Sequence, residues 1–201
     1  MEILYSDDNI IVCVKPVGLD SEHGVPDLLR EEQGCEIYTL HRLDLNVGGV
    51  MVYARNKQTA AELSACIQNG EMIKEYMAVV HGTPPEEGDW EDLLYKDPRK
   101  NKVFTVDRMR RGVKRARLEY KRLTKGKTSL VRIRLHTGRS HQIRVQFASR
   151  KFPLVGDHKY GARDKCESPM LYSCKLTFPY KGEETGFEAY PDWYNIDKHG
   201  I

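Results

Sequence analysis

Three short segments concentrate side chains able to do covalent or proton-transfer chemistry. The first is His41-Arg42-Leu43-Asp44, placed just before the apolar run Gly49–Ala54. A carboxylate at the foot of a buried strand is held by a rigid element yet can face a cleft. Such a group can attack a sugar carbon as a covalent nucleophile. Taken alone, these four residues are explained more simply by a loop ion pair between Arg42 and Asp44. The second segment runs from Leu135 through Thr137-Gly138-Arg139-Ser140-His141-Gln142-Ile143-Arg144. Gly138 permits a tight bend, and Ser140 is expected to cap a helix reaching about Arg150. The start of that helix offers free N–H groups and a positive dipole end. His141 and Arg144 are three residues apart and share a face, so Arg144 can meet a carboxylate or a phosphate bidentately. A solvated basic face is the competing account. The third segment is Lys74–Gly82, a strand on which Tyr76, Ala78 and Val80 share one side. Tyr76 can stack on a base or serve as a core tyrosine.

The elements that must position these residues read mostly as short strands. Ile3–Ser6 and Asn9–Lys15 flank a turn at Asp7-Asp8, and Pro16 and Gly18 end the second run. Gly49–Ala54 is continuously apolar, as a strand buried on both faces should be. Asn56 is the expected N-cap of a helix over Lys57–Gln68, stopped at Gly70. Ile73–His81, Leu118–Thr124, Ser129–Leu135 and Leu171–Phe178 read as further strands, the middle two joined by a hairpin turn. Many strands with few, separated helices indicate an α+β class rather than repeated βαβ units.

The bulk composition narrows the options. A chain of 201 residues that is 40% hydrophobic can bury a real core, as one domain or two joined lobes. No apolar run reaches the ~20 residues of a membrane-spanning helix, and the N-terminus lacks the pattern of a signal peptide. A cytoplasmic protein with no membrane partner is expected. The five cysteines are scattered without a CxxC pair, which speaks for reduced thiols and against a zinc site. Net charge is only +3, but Arg99–Arg117 holds nine Lys/Arg and one acid, and Glu183–Asp197 holds five acids and no Lys/Arg. This asymmetry fits a polyanion held on one face.

Taken together and in order, these segments resemble the RluA-like family of pseudouridine synthases. His41-Arg42-Leu43-Asp44 with Gly49-Val50-Met51-Val52 is similar to the family's nucleophile signature. Thr137–Arg144 is similar to its TGRxHQIR stretch, followed by Pro153-Leu154-Val155-Gly156-Asp157-His158-Lys159-Tyr160-Gly161. Lys74-Glu75-Tyr76 before Gly82 looks like its tyrosine strand, and Lys15-Pro16-Val17-Gly18-Leu19 like its early turn. The similarity spans about Asn9 to Pro179. Family members commonly have a basic residue after the Asp and a Thr-Ser pair before the glycine; here Leu45 and Val47-Gly48 stand there.

The resemblance implies an α+β domain with a central, mostly antiparallel mixed sheet, flanking helices and a catalytic cleft. It implies one catalytic domain over residues 1–201 without a separate N-terminal RNA-binding domain. The implied reaction converts uridine to pseudouridine in ribosomal or transfer RNA, without metal or cofactor. Asp44 is the implied nucleophile and Arg144 the basic residue that pairs with it. Tyr76 stacks on the base and helps remove the C5 proton, and Arg42 fills the space left by a flipped nucleotide. Arg139, His141, Arg108, Arg110, Arg111, Lys114 and Arg115 are expected RNA contacts. A monomer that binds no DNA is expected. The alternatives are an RNA-binding module of the same fold that has lost catalysis, a two-carboxylate glycosidase and a DNA-binding factor. The last lacks a helix-turn-helix pattern joined to the basic run.

Overall fold

The computed structural model describes residues 1–194. They form eleven strands and three α-helices, so the α+β expectation is borne out. The chain divides into two compact units, residues Met1–Lys74 with Tyr172–Tyr194, and residues Glu75–Leu171.

In the first unit, β1 (Glu2–Ser6) turns into β2 (Ile10–Lys15). Asp7 closes that turn by accepting from the Asn9 and Ile10 amides at 2.8 and 2.9 Å. β4 (Gly48–Ala54) runs antiparallel to β2, with Lys15 opposite Gly49, and is buried along its whole length. The other edge of β4 takes β3 (Tyr38–Thr39) antiparallel and β10 (Leu171–Tyr180) parallel. β11 (Glu183–Glu188) adds to β10. α1 covers Gly24–Gln33 and α2 covers Lys57–Gln68. Asn56 caps α2 as expected, accepting from the Thr59 amide at 2.9 Å. Alternate residues of β2 and β4 (Ile10, Val12, Val50, Val52) bury against Leu63, Leu176 and Phe178 to make the core.

In the second unit the strands lie in the order β5 (Ile73–His81), β9 (Thr128–Leu135), β8 (Val113–Arg122), β6 (Glu87–Asp97), β7 (Lys102–Val106). β8 and β9 form the expected hairpin. α3 (Gln142–Ser149) packs Phe147 against Trp90 and Tyr120, with ring centroids 4.7 and 5.2 Å away. The segment after α3 is tied to β5: the Val155 amide donates to Val79 O, and the His81 amide to Pro153 O, both at 2.9 Å.

Five elements have no counterpart in the sequence reading: α1, β3, β6, β7 and β11. One local expectation is corrected. Ser140 does not cap α3; the residue at that position is His141, in the left-handed region at φ 50°. The Gln142 side chain orders the entry instead, accepting from Thr137 Oγ1 at 2.8 Å and from the Arg139 amide at 3.0 Å. No helix of the described residues is long and apolar enough to cross a membrane.

Candidate active site

Asp44 sits on the loop between β3 and β4, and that loop is fixed residue by residue. His41 turns inward, and its Nε2 accepts from the Val52 amide at 3.2 Å. Only a neutral ring can accept there; burial, aided by the Lys74 charge, pushes the imidazole pKa down to about 3. Arg42 turns outward and pairs with Glu22 at 2.8 Å rather than with Asp44. Leu43 is buried, and Ser21 Oγ clamps its backbone, accepting from its amide at 3.2 Å and donating to its carbonyl at 2.9 Å. Asp44 is half-buried, and its carbonyl accepts from the Val47 amide at 3.0 Å across a turn at Leu45-Asn46. The inward-outward alternation of the motif therefore presents the carboxylate from a loop with little freedom.

Beneath this loop lies Lys15, fully buried. Its ammonium donates to Pro16 O at 2.9 Å, Leu19 O at 2.8 Å and Leu45 O at 3.3 Å, joining the early turn to the residue after Asp44. The Gly18 amide adds a bond to Leu45 O at 2.9 Å. Burial lowers the Lys15 pKa to about 8, while the Asp20 and Asp44 charges pull it upward. Gly49 sits at φ 125°. A Cβ there would stand 2.2 Å from Ser173 O and 2.6 Å from Ser173 N, so glycine lets β10 approach β4.

The other candidate residues belong to the second unit. Tyr76 lies on β5 and is buried. Arg144, on α3 and 7% exposed, donates to Asp157 through Nε (2.7 Å) and Nη2 (2.8 Å). Its guanidinium carbon lies 5.2 Å from the Tyr160 ring centroid. His141 Nδ1 is 2.9 Å from the hydroxyl of the same tyrosine. His141 and Arg144 thus do converge, on Tyr160. Asp157, Tyr160, Lys15 and Ser21 had no assigned role in the sequence analysis. Two of them lie in the Pro153–Gly161 motif and one in the early Lys-Pro turn, which is the only sequence signal they carry.

The basic stretch is partly compensated by the acids of β6. Arg115 pairs with Glu91 at 2.7 Å. Arg117 binds Asp89 bidentately at 2.9 and 2.8 Å. Arg110 stacks on Tyr95 at 5.2 Å, and Arg108 reaches Asp107 only at 4.0 Å. Arg111 and Lys114 are exposed. Arg139, also exposed, donates through Nε to Arg115 O at 2.9 Å. Asp197, the last acid of the C-terminal run, lies outside the described residues.

Residues 9–149 match the family model described as RNA pseudouridylate synthase. The chain belongs to that family. It is 33% identical to ribosomal large subunit pseudouridine synthase D of Borreliella burgdorferi over 196 residues, 87% of this chain and 60% of that protein. An uncharacterized RNA pseudouridine synthase of Chloroflexus aurantiacus is 40% identical over 129 residues, 62% of this chain and 39% of the relative. The chain thus spans 60% or less of the length of these two relatives. It covers 91% of tRNA pseudouridine synthase C of Vibrio vulnificus, at 29% identity over 96% of this chain. Among solved structures, human RNA pseudouridylate synthase domain containing 4 superposes with a TM-score of 0.80 at 26% identity, covering 96% of this chain and 89% of that one. These relatives bear out the resemblance to the RluA-like synthases.

Proposed function

We propose that this chain isomerises uridine to pseudouridine in ribosomal or transfer RNA, with Asp44 as the nucleophile. The observation that carries the reading is the family match across residues 9–149, which contains Asp44, Tyr76 and Arg144. Support comes also from the way His41, Leu43 and Lys15 hold the Asp44 loop. The relatives' names refer to both ribosomal and transfer RNA.

Asp44 attacks the target nucleoside and the bond between the sugar and N1 breaks. The detached base turns, its C5 bonds to the sugar as the bond to Asp44 breaks and frees the carboxylate, the C5 proton leaves and N1 takes one up. Atoms balance without an external reactant, so no cofactor is needed. Tyr76 stacks on the base and assists loss of the C5 proton. Arg144 serves as the basic partner of the nucleophile, as the family resemblance implies. The target must leave its stack to react, at least cost from an unpaired loop, and Arg42 fills the space it vacates. Arg139, His141 and the Arg108–Arg115 stretch hold the RNA backbone. The enzyme acts as a cytoplasmic monomer and does not use DNA.

The test is tritium release from C5-labelled uridine in RNA from cells lacking this gene, comparing wild type with Asp44→Asn. Release by wild type and none by the variant is expected. RNA binding by both without release by either would leave a binding module that has lost catalysis.

A further inference from the structure

The Pro153–Gly161 segment carries a buried carboxylate to which the proposed reaction gives no part. Asp157 is 1% exposed, and a carboxylate so placed is costly unless it is paired. Its partner is Arg144, held by two near-parallel bonds of 2.7 and 2.8 Å from Nε and Nη2. That geometry fixes both the plane of the guanidinium and its rotation about the stem. The Tyr160 ring lies 5.2 Å from the guanidinium carbon. The Tyr160 hydroxyl accepts from the Val103 amide at 2.9 Å and lies 2.9 Å from His141 Nδ1.

The carboxylate itself is held on a hydrogen-bonded turn. The Asp157 amide donates to Leu154 O at 3.1 Å, and its carbonyl accepts from the Tyr160 and Ala162 amides at 3.0 and 3.1 Å. Gly156 precedes it at φ 78°, where a Cβ would meet Ser168 O at 2.2 Å. The Gly156 amide donates to Asp164 Oδ2 at 2.8 Å. An arginine presents its donors as a rigid fork. Engaging the Nε and Nη2 edge dictates where the remaining Nη donors point. Stability alone is a poor account of such a pair, because buried ion pairs are often replaceable by apolar residues without loss.

We propose that Asp157 is a positioning residue that aims Arg144 for pseudouridine formation. The inference rests on the function proposed above. The experiment is steady-state tritium release by wild type, Asp157→Asn, Arg144→Lys and the double variant, each below its own melting transition, with RNA affinity measured alongside. Asp157→Asn keeps the size and one acceptor but loses the charge and the second acceptor. Its kcat is expected to fall roughly 10–100-fold, as misorientation of a reacting group does, while KM and RNA affinity stay within about twofold. In the Arg144→Lys background the same substitution should lower kcat less than about threefold, since lysine has no fork to aim. A kcat for Asp157→Asn within threefold of wild type, or an equal fall in both backgrounds, overturns the proposal. Should Asp157→Asn not fold, Asp157→Glu keeps the charge and displaces it by one methylene, and an unchanged kcat there overturns the proposal equally. No release by wild type would remove the proposed function, and this inference with it.

Discussion

Replacing Lys15 by methionine separates what its charge does from what its bulk does. The ammonium is fully buried and donates to three carbonyls. Methionine of similar length removes that donor from the Pro16 and Leu19 carbonyls and leaves Leu45 O only the Gly18 amide, at roughly 1–3 kcal/mol near pH 7. The cost should then grow with pH. In the folded chain the Lys15 pKa falls from 10.5 to about 8. Between those values the unfolded chain still carries the proton that the folded chain has released, so wild-type stability rises with pH across that window. At about 1.4 kcal/mol per pH unit, the rise between pH 7 and pH 10 is about 2.5 kcal/mol. The variant has no group to release and lacks it. The gap between the two proteins should therefore widen by about 2.5 kcal/mol, or somewhat over 1 M in urea midpoint at a slope of about 2 kcal/mol/M. Urea unfolding of both proteins at pH 7, 8.5 and 10, followed by far-UV circular dichroism, measures it directly. A gap constant to within about 0.5 kcal/mol would refute the reasoning, because Lys15 would then titrate alike in both states.

Other perturbations read other parts of the structure. Gly49→Ala places a Cβ 2.2 Å from Ser173 O at a φ of 125°; a loss of at least about 3 kcal/mol is expected, seen as a fall of roughly 10 °C in thermal melting. His41, whose ring is pushed down to about pKa 3, stays neutral in the folded chain while the unfolded chain protonates below about pH 6.5. Stability should therefore fall as pH drops from 6.5 toward 3. Urea midpoints of His41→Gln, whose amide oxygen can accept from Val52, should decline less steeply. In RNA-binding titrations over a salt series, Arg111→Ala and Lys114→Ala should each reduce the log–log slope by roughly 0.7–0.9. Arg115→Ala and Arg117→Ala should reduce it less, since Glu91 and Asp89 already balance them.

Local signals were legible and distant ones were not. α2 was readable to its bounds because its cap, its apolar spacing and its stop lie within fifteen residues of chain. β4 was readable because every residue is buried. β6 was not, since EGDWEDLLYKD looks like an acidic loop until its partners are in place. Trp90 then lies 4.5 Å from Tyr120 and 4.7 Å from Phe147, while Asp89 and Glu91 face the arginines of β8. The same pairing explains why the positive charge of residues 99–117 overstates the free charge on that surface. β11 had a readable signal in Lys181-Gly182, both at positive φ, a two-residue turn suited to a hairpin. α1 had a weaker one in Pro26, within its first turn. For the site, Asp44 was readable from the motif, but what holds it was not. His41, Ser21 and Lys15 act through backbone atoms, and backbone partners leave no trace in residue types.

The two buried cations differ in a way that bears on how such a site can depend on pH. Lys15 is satisfied by neutral carbonyls, so nothing in its first contacts repays the cost of burying its charge in full. Arg144 faces a carboxylate through two charge-assisted bonds, and a guanidinium keeps its proton at any pH the fold survives. Of the two, only Lys15 can lose its charge near neutrality. Its bonds hold the residue that follows Asp44. A neutral amine has two N–H groups for three carbonyls, so deprotonation must weaken at least one of those bonds. The grip on the Asp44 loop is therefore tied to a proton equilibrium near pH 8, while the orientation of Arg144 is set by the fork it makes with Asp157.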